Sequence, residues 1–135
     1  MRTIIGGCLC GKIRYSAVTD PAIVAVCHCK HCQKQGGTAF SVVVAVPRVS
    51  MKLEGPIKTY HDIGGSGQPV ERHFCPECGS PITTDATVAP ELTFIKAGTL
   101  DDTSWLDPKV HIYCDSAQTW TPIPESSQKF AKMPS

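Results

Sequence analysis

The 135-residue sequence has almost no net charge: thirteen Lys and Arg stand against twelve Asp and Glu, with no run of one sign. Such a field is too weak for nucleic acid or an anionic membrane surface to be the main partner. No apolar stretch approaches the ~18–20 residues of a membrane span. Linkers, internal repeats and low-complexity segments are missing as well, apart from a polar tail after about residue 124. Disorder, collagen and coiled coil are thereby excluded, and a length near ~150 argues for a single domain over residues 1–135. No leader is expected either. Ile5-Gly6-Gly7-Cys8 has the look of a lipoprotein cleavage box, but only Met1, Arg2, Thr3 and Ile4 come before it. A signal needs a basic region and ~7–15 apolar residues ahead of the cleavage point. The expected location is the cytoplasm.

What the sequence does have is cysteine: eight, at positions 8, 10, 27, 29, 32, 75, 78 and 114. In a reducing compartment, close-set cysteines read as metal ligands before disulfides. Cys27, Cys29 and Cys32 cannot pair among themselves without leaving one over.

Eleven glycines and eleven prolines punctuate the chain and leave little room for helices. Ile13, Tyr15 and Ala17 alternate with Lys12, Arg14 and Ser16, the pattern of a half-buried strand ended by Thr19-Asp20-Pro21. Residues 41–46 form a β-branched run closed by Pro47. Leu53, Glu54-Gly55-Pro56 and residues 57–61 read as strand, turn, strand. Gly64-Gly65-Ser66-Gly67 is a turn before a strand over 70–74, and 92–96 and 110–113 supply two more. One short helix is predicted over residues 30–35, stopped by Gly36-Gly37 and carrying Cys32 on its first turn. The class is mainly β, with at most one or two short helices.

Cys75-Pro76-Glu77-Cys78-Gly79 has the two-residue gap at which both sulfurs meet one zinc ion ~2.3 Å away. The glycine after it permits the positive φ that such a tight turn needs. Cys8-Leu9-Cys10-Gly11 is the natural second half, giving a closed four-thiolate site that staples the N-terminal strand to the middle of the chain. A structural zinc is worth ~10–16 kcal/mol of apparent binding energy, against a net domain stability of ~5–15 kcal/mol. Chelation is therefore expected to unfold the protein.

Cys27-His28-Cys29-Lys30-His31-Cys32 is a different constellation. Three thiolates form one face of a tetrahedron and leave the fourth position open, as in a catalytic zinc site. In an extended segment Cys27 and Cys29 point the same way and His28 points away. Another pairing is open: Cys29 and Cys32 with Cys75 and Cys78 as a zinc ribbon, orphaning Cys8, Cys10 and Cys27. His28 and His31 either complete a coordination sphere or face solvent. His61, His73 and His111 lie in strand-like segments, Cys114 reads as a small buried hydrophobe, and Trp105 and Trp120 as core or interface residues.

Three thiolates outweigh the charge of a divalent ion and leave the site at −1, so water is polarised less than by three histidines. Nucleobase deaminases activate water with such ligands, but they carry a glutamate two residues past the first ligand; Cys29 stands there, and no proline precedes Cys75. Soft ligands suit another thiol. A free thiol of pKa ~8.5 is only ~3% ionised at pH 7. Coordination ionises it fully, a ~30-fold gain in thiolate equivalent to ~2 kcal/mol of barrier.

The chain resembles the glutathione-dependent formaldehyde-activating enzyme family, which includes centromere protein V. The resemblance rests on Gly6-Gly7-Cys8-Leu9-Cys10-Gly11, Cys27-His28-Cys29-Lys30-His31-Cys32, Gly37-Thr38-Ala39-Phe40, Phe74-Cys75-Pro76-Glu77-Cys78-Gly79-Ser80-Pro81, Ala97-Gly98-Thr99-Leu100-Asp101, and Val110-His111-Ile112-Tyr113 with Trp120 downstream. In order and spacing they cover about residues 5–123. The resemblance implies a β-tent-like, mainly antiparallel fold and two zinc ions per chain: a structural one on Cys8, Cys10, Cys75 and Cys78, and a catalytic one on Cys27, Cys29 and Cys32. It also implies a carbon–sulfur lyase that condenses glutathione with formaldehyde to S-(hydroxymethyl)glutathione, and the reverse. The expected partner is a small-molecule thiol, most simply glutathione, held at the Cys27/Cys29/Cys32 zinc. His31 or a water is a candidate proton donor, Gln33, Thr38 and Phe40 flank the ligand loop, and Arg72 either meets a glutathione carboxylate or lies on a surface strand. A different thiol adduct, or a non-catalytic zinc-binding interaction module, are the alternative readings.

Overall fold

The computed structural model describes residues 1–133. Short strands broken by Gly and Pro dominate it. In chain order they are β1 (Arg2–Gly7), β2 (Arg14–Thr19), β3 (Ile23–Cys27), β4 (Ser41–Pro47), β5 (Met51–Glu54), β6 (Lys58–Ile63), β7 (Pro69–Phe74), β8 (Pro81–Ala86), β9 (Leu92–Lys96), β10 (Val110–Ile112) and β11 (Gln128–Lys129), with one helix, α1 (Lys30–Gly36), between β3 and β4. The strands form a three-stranded sheet, β1-β2-β5, and an eight-stranded sheet in the order β11-β10-β3-β4-β9-β8-β7-β6. Pairing is antiparallel except at one edge, where β10 runs parallel to both β3 and β11.

The core lies between the two sheets. Ile4, Ile13, Tyr15 and Ala17 from the small sheet meet Val44, Val46, Ile82 and Ile95 from the large one, with Ala97 and Leu100 closing the end. β4 is the central strand and is apolar on both faces: Val44 and Val46 enter this core, while Val43 points to a cavity on the other side. A strand buried on both faces needs a continuous apolar run, and the valine-rich residues 42–46 supply one.

The strand, turn, strand read over residues 53–61 is found as β5 and β6, but the two strands do not pair with each other. β5 pairs with β2, and β6 pairs with β7, so Gly55-Pro56 is the crossing from one sheet to the other and not a hairpin turn. β3 and β8 are not legible as strands in the sequence. The segment after residue 124 is not a loose polar tail throughout: β11 pairs with β10, Phe130 packs near Cys27 and Ile112, and Met133 reaches the cavity. Trp105 packs against the core, with the Arg2 guanidinium 4.3 Å from its ring centroid, but Trp120 is 70% exposed and belongs to no core. No helix among the described residues is long and apolar enough to cross a membrane.

The sheets are stitched where β1 turns. Gly6 bridges to Leu100, the Tyr15 hydroxyl is 2.7 Å from Thr99 Oγ1, and Arg14 forms a bidentate pair with Asp101. This approach requires glycine at position 6, because a Cβ there would overlap the Tyr15 hydroxyl and the Thr99 carbonyl. Gly6→Ala is expected to lower unfolding stability by at least the ~1–3 kcal/mol of an overpacked core, measured as a fall in the urea midpoint at constant m-value.

Candidate metal centres and the adjoining cavity

The turn after β1 and the turn after β7 bring four cysteines together. The sulfurs of Cys8, Cys10, Cys75 and Cys78 all lie within 4.8 Å of one another. A tetrahedron of ~2.3 Å bonds needs sulfurs ~3.8 Å apart; Cys8 and Cys10 are 3.5 Å apart, and Cys10 and Cys75 are 3.8 Å apart. Backbone N–H groups point at the sulfurs, Ile13 N donating to Cys8 Sγ at 3.2 Å and Glu77 N to Cys75 Sγ at 3.4 Å. The Ser80 side chain and backbone pull the Cys78 thiol down to about 5. Gly11 and Gly79, each just past a cysteine pair, have φ of 82° and 79°, as the tight turns demand. The donor set and its spacing fit a zinc ion.

Cys27, Cys29 and Cys32 form a second set, all buried and also within 4.8 Å of one another. Cys27 ends β3, Cys29 caps α1 and accepts a hydrogen bond from Cys32 N at 3.3 Å, and Cys32 lies on the first turn. Among these thiols negative charge collects on Cys32. Hydrogen bonds from Cys27 and then Cys29 draw it down to about 2 against burial, assisted by the Lys96 and Arg72 cations. Hydrogen bonds to Cys29 and Cys32, with burial added, push Cys27 up. The structure does not join Cys29 and Cys32 to Cys75 and Cys78; the ribbon pairing is replaced by these two separate sets.

Of the two histidines beside the cluster, His28 departs from expectation and His31 faces outward. His28 is fully buried, its Nε2 2.9 Å from His111 Nδ1 and its ring stacked on His111 and tilted against Phe40. It neither faces solvent nor joins a thiol set. Burial lowers the pKa of both imidazoles, and the pair props the ligand loop from behind. His31 turns outward to Asp62, with Nδ1 2.8 Å from Oδ2. Gln33 also buttresses the loop, donating to the His28 carbonyl at 2.7 Å and the Ser116 carbonyl at 3.0 Å. The Thr38 hydroxyl donates to the Phe40 carbonyl, and Cys114 is half-buried outside both sets.

The three thiols open into a cavity of about 100 Å³. Its walls are largely apolar, including Val43, Val70 and Phe94, and its other polar groups include Arg72, Lys96 and Tyr113. Lys96 is buried at the end of β9, with Nζ donating to Ser41 Oγ at 2.9 Å, and burial holds its ammonium below the usual range. Arg72 is not a surface residue: it is 3% exposed, its Nε donates to Asp62 Oδ2 at 2.9 Å, and its Nη1 lies 3.8 Å from Cys32 Sγ. Tyr113 has a left-handed backbone, φ 54° and ψ 41°, the strained conformation that clusters at functional sites. The turn at residues 64–67 covers the cavity, and Gly65 packs so closely that a Cβ would lie 2.7 Å from the Tyr113 ring.

Lys96 and Tyr113 were missed in the sequence, where both read only as strand ends. A signal existed: Lys96 shares a strand face with Phe94 in an otherwise apolar segment. On the far side of Arg72 lies a wider, polar cleft of about 500 Å³, lined by Lys30, His31, Lys34, Gln35, Tyr60, Asp62 and Arg72.

The family model described as glutathione-dependent formaldehyde-activating enzyme matches residues 3–116. A Halomonas elongata protein named "Putative glutathione-dependent formaldehyde-activating enzyme" is 28% identical over 129 residues, covering 91% of this chain and 82% of that protein. A crystal structure of a Rhodobacter sphaeroides protein superposes with a TM-score of 0.58 at 18% identity, over 77% of this chain and 91% of the other, and supports the fold.

Metal content per chain, measured by mass spectrometry, tests the two sets. Two ions are expected in the wild type. Cys29→Ser should lose one and remain folded. Cys75→Ser should lose the other and unfold, because ~10–16 kcal/mol of apparent binding energy exceeds or matches the stability of the whole domain.

Proposed function

Because the chain belongs to the glutathione-dependent formaldehyde-activating enzyme family, we propose that it is a zinc-dependent carbon–sulfur lyase. It would interconvert glutathione plus formaldehyde with S-(hydroxymethyl)glutathione. The observation that carries this reading is the placing of three buried thiols on one small apolar cavity whose opposing groups are two cations, Lys96 and Arg72. In this reading Cys8, Cys10, Cys75 and Cys78 hold a structural zinc within a single domain, and Cys27, Cys29 and Cys32 hold a second. When bound there, the second zinc supplies a position at which a substrate thiol ionises.

The protein's own residues do the rest. A fourth thiolate beside the other three adds negative charge in a dry site, and Lys96 and Arg72 offset it. Asp62 keeps the Arg72 guanidinium oriented. The cavity is too small for a tripeptide, since pockets for molecules of that size run to ~300–1,000 Å³. It admits a cysteine sulfur and formaldehyde, while the peptide body lies in the cleft beyond Arg72, where Lys30 and Lys34 offer cations to its carboxylates. Formation of the carbon–sulfur bond moves the carbonyl electrons onto oxygen, and the Lys96 ammonium donates the proton that quenches the alkoxide. Tyr113, whose phenol burial keeps protonated, orients that oxygen. His31, in the outer cleft, is not the donor. The free cysteines suit a reducing compartment, the cytoplasm.

Exchange spectroscopy of glutathione with formaldehyde tests the proposal. The wild type should accelerate exchange over buffer, and Lys96→Met should lose ~10²-fold or more of that, the scale of general-acid catalysis, with metal content unchanged. Binding of glutathione without acceleration would make the protein a binding module, and acceleration only with other thiols would reassign the substrate.

A further inference from the structure

The face of β7 and β8 turned away from the cavity carries a third group of ligand-bearing side chains. Arg72 and Thr84 pair across these strands and line the cavity. Their neighbours Glu71, His73 and Asp85 therefore project to the opposite face. One ligand atom from each lies within 4.8 Å of the other two.

We propose that Glu71, His73 and Asp85 form a third metal site, which binds a borderline divalent cation such as zinc through one nitrogen and two oxygens. His73 Nε2 is 2.9 Å from Asp85 Oδ2 and 3.9 Å from Glu71 Oε2. Bonds of ~2.0–2.2 Å to such ligands require only small rotations from these positions. Glu71 has the freedom to make them, with its side chain half exposed. The other ring nitrogen is already engaged: His73 Nδ1 is 2.8 Å from Thr59 Oγ1 on β6. That contact aims Nε2 at the two carboxylates, as outer partners of metal-bound histidines do. Asp85 is largely buried, which holds its Oδ2 in place beside the ring. Two carboxylates neutralise a divalent ion. Arg48, 3.8 Å from Asp85 Oδ1 and itself 47% exposed, faces the oxygen that the histidine does not share. His61, directly across β6 from Glu71 and 3.7 Å from its carboxylate, is the available fourth ligand. Mixed imidazole and carboxylate ligands select zinc or nickel over calcium and magnesium. The site shares no ligand with either thiol set.

Protein first saturated with zinc and freed of excess is titrated with zinc chloride by calorimetry, and the histidine ring nitrogens are followed by ¹⁵N NMR. One more equivalent is expected in the wild type than in His73→Asn or Asp85→Asn, with the His73 ring resonances shifting and those of His28 and His111 unchanged. Thr59→Val should weaken this equivalent ~10-fold, the lower end of outer-partner effects; mere accumulation of cations near carboxylates would be indifferent to Thr59. An unshifted His73 ring in excess zinc, or the same stoichiometry in wild type and His73→Asn, would overturn the site and leave His73 and Asp85 as an ion pair alone.

Discussion

Four sulfurs within 4.8 Å of one another cannot all carry charge unless a cation lies between them. This constraint sits where turns from the two sheets meet. Cys8 and Cys10 leave β1 of the small sheet, and Cys75 and Cys78 leave β7 of the large one. The stitching nearby, through Gly6, Tyr15, Thr99, Arg14 and Asp101, is aligned only when those turns are held together. The inter-sheet core is small, and its largest fully buried side chains are mainly isoleucine and valine. A zinc ion held there, as proposed, would be a cross-link of high energy at its rim and would compensate for a modest apolar payload.

The large sheet works on both faces. Along β4, alternate valines serve the core and the cavity; along β9, Ile95 enters the core while Phe94 and Lys96 face the thiols. Along β7, Arg72 closes the cavity while Glu71 and His73 occupy the reverse face. One set of short strands therefore provides hydrophobic support and the charged groups of the site, with no dedicated loop for each. Burying Lys96 and Arg72 is costly in isolation. Ser41, Asp62 and the thiols share that cost among them.

The sequence disclosed what depends on spacing. Cysteine pairs followed by glycine, a short helix before Gly36-Gly37 and the alternation of residues 12–17 are local signals, and each is found in the structure. What depends on distant partners was not legible. Leu53 and residues 57–61 flank a turn-like Gly55-Pro56 but join different sheets, because hydrophobic pairing with β2 outweighs the local turn chemistry. Arg72 has the look of a surface residue until Asp62, ten positions earlier, is paired with it. His28 is polar in sequence and fully buried in space because His111, eighty-three residues away, meets its ring nitrogen.

The parallel edge of the large sheet has a consequence in time. Cys27 ends β3, which is flanked by β4 on one side and by β10 on the other; Cys27 lies opposite Ile112, and His28 N donates to the Ile112 carbonyl at 3.0 Å. Parallel pairing across so long a stretch of chain is slow, because the loop must close before any contact rewards it. During synthesis the helix and β4 emerge long before β10 exists. The three thiols of that loop thus wait, without their second neighbour strand, until Val110–Ile112 have left the ribosome. Burial of the three sulfurs is therefore a late event in the folding of each molecule.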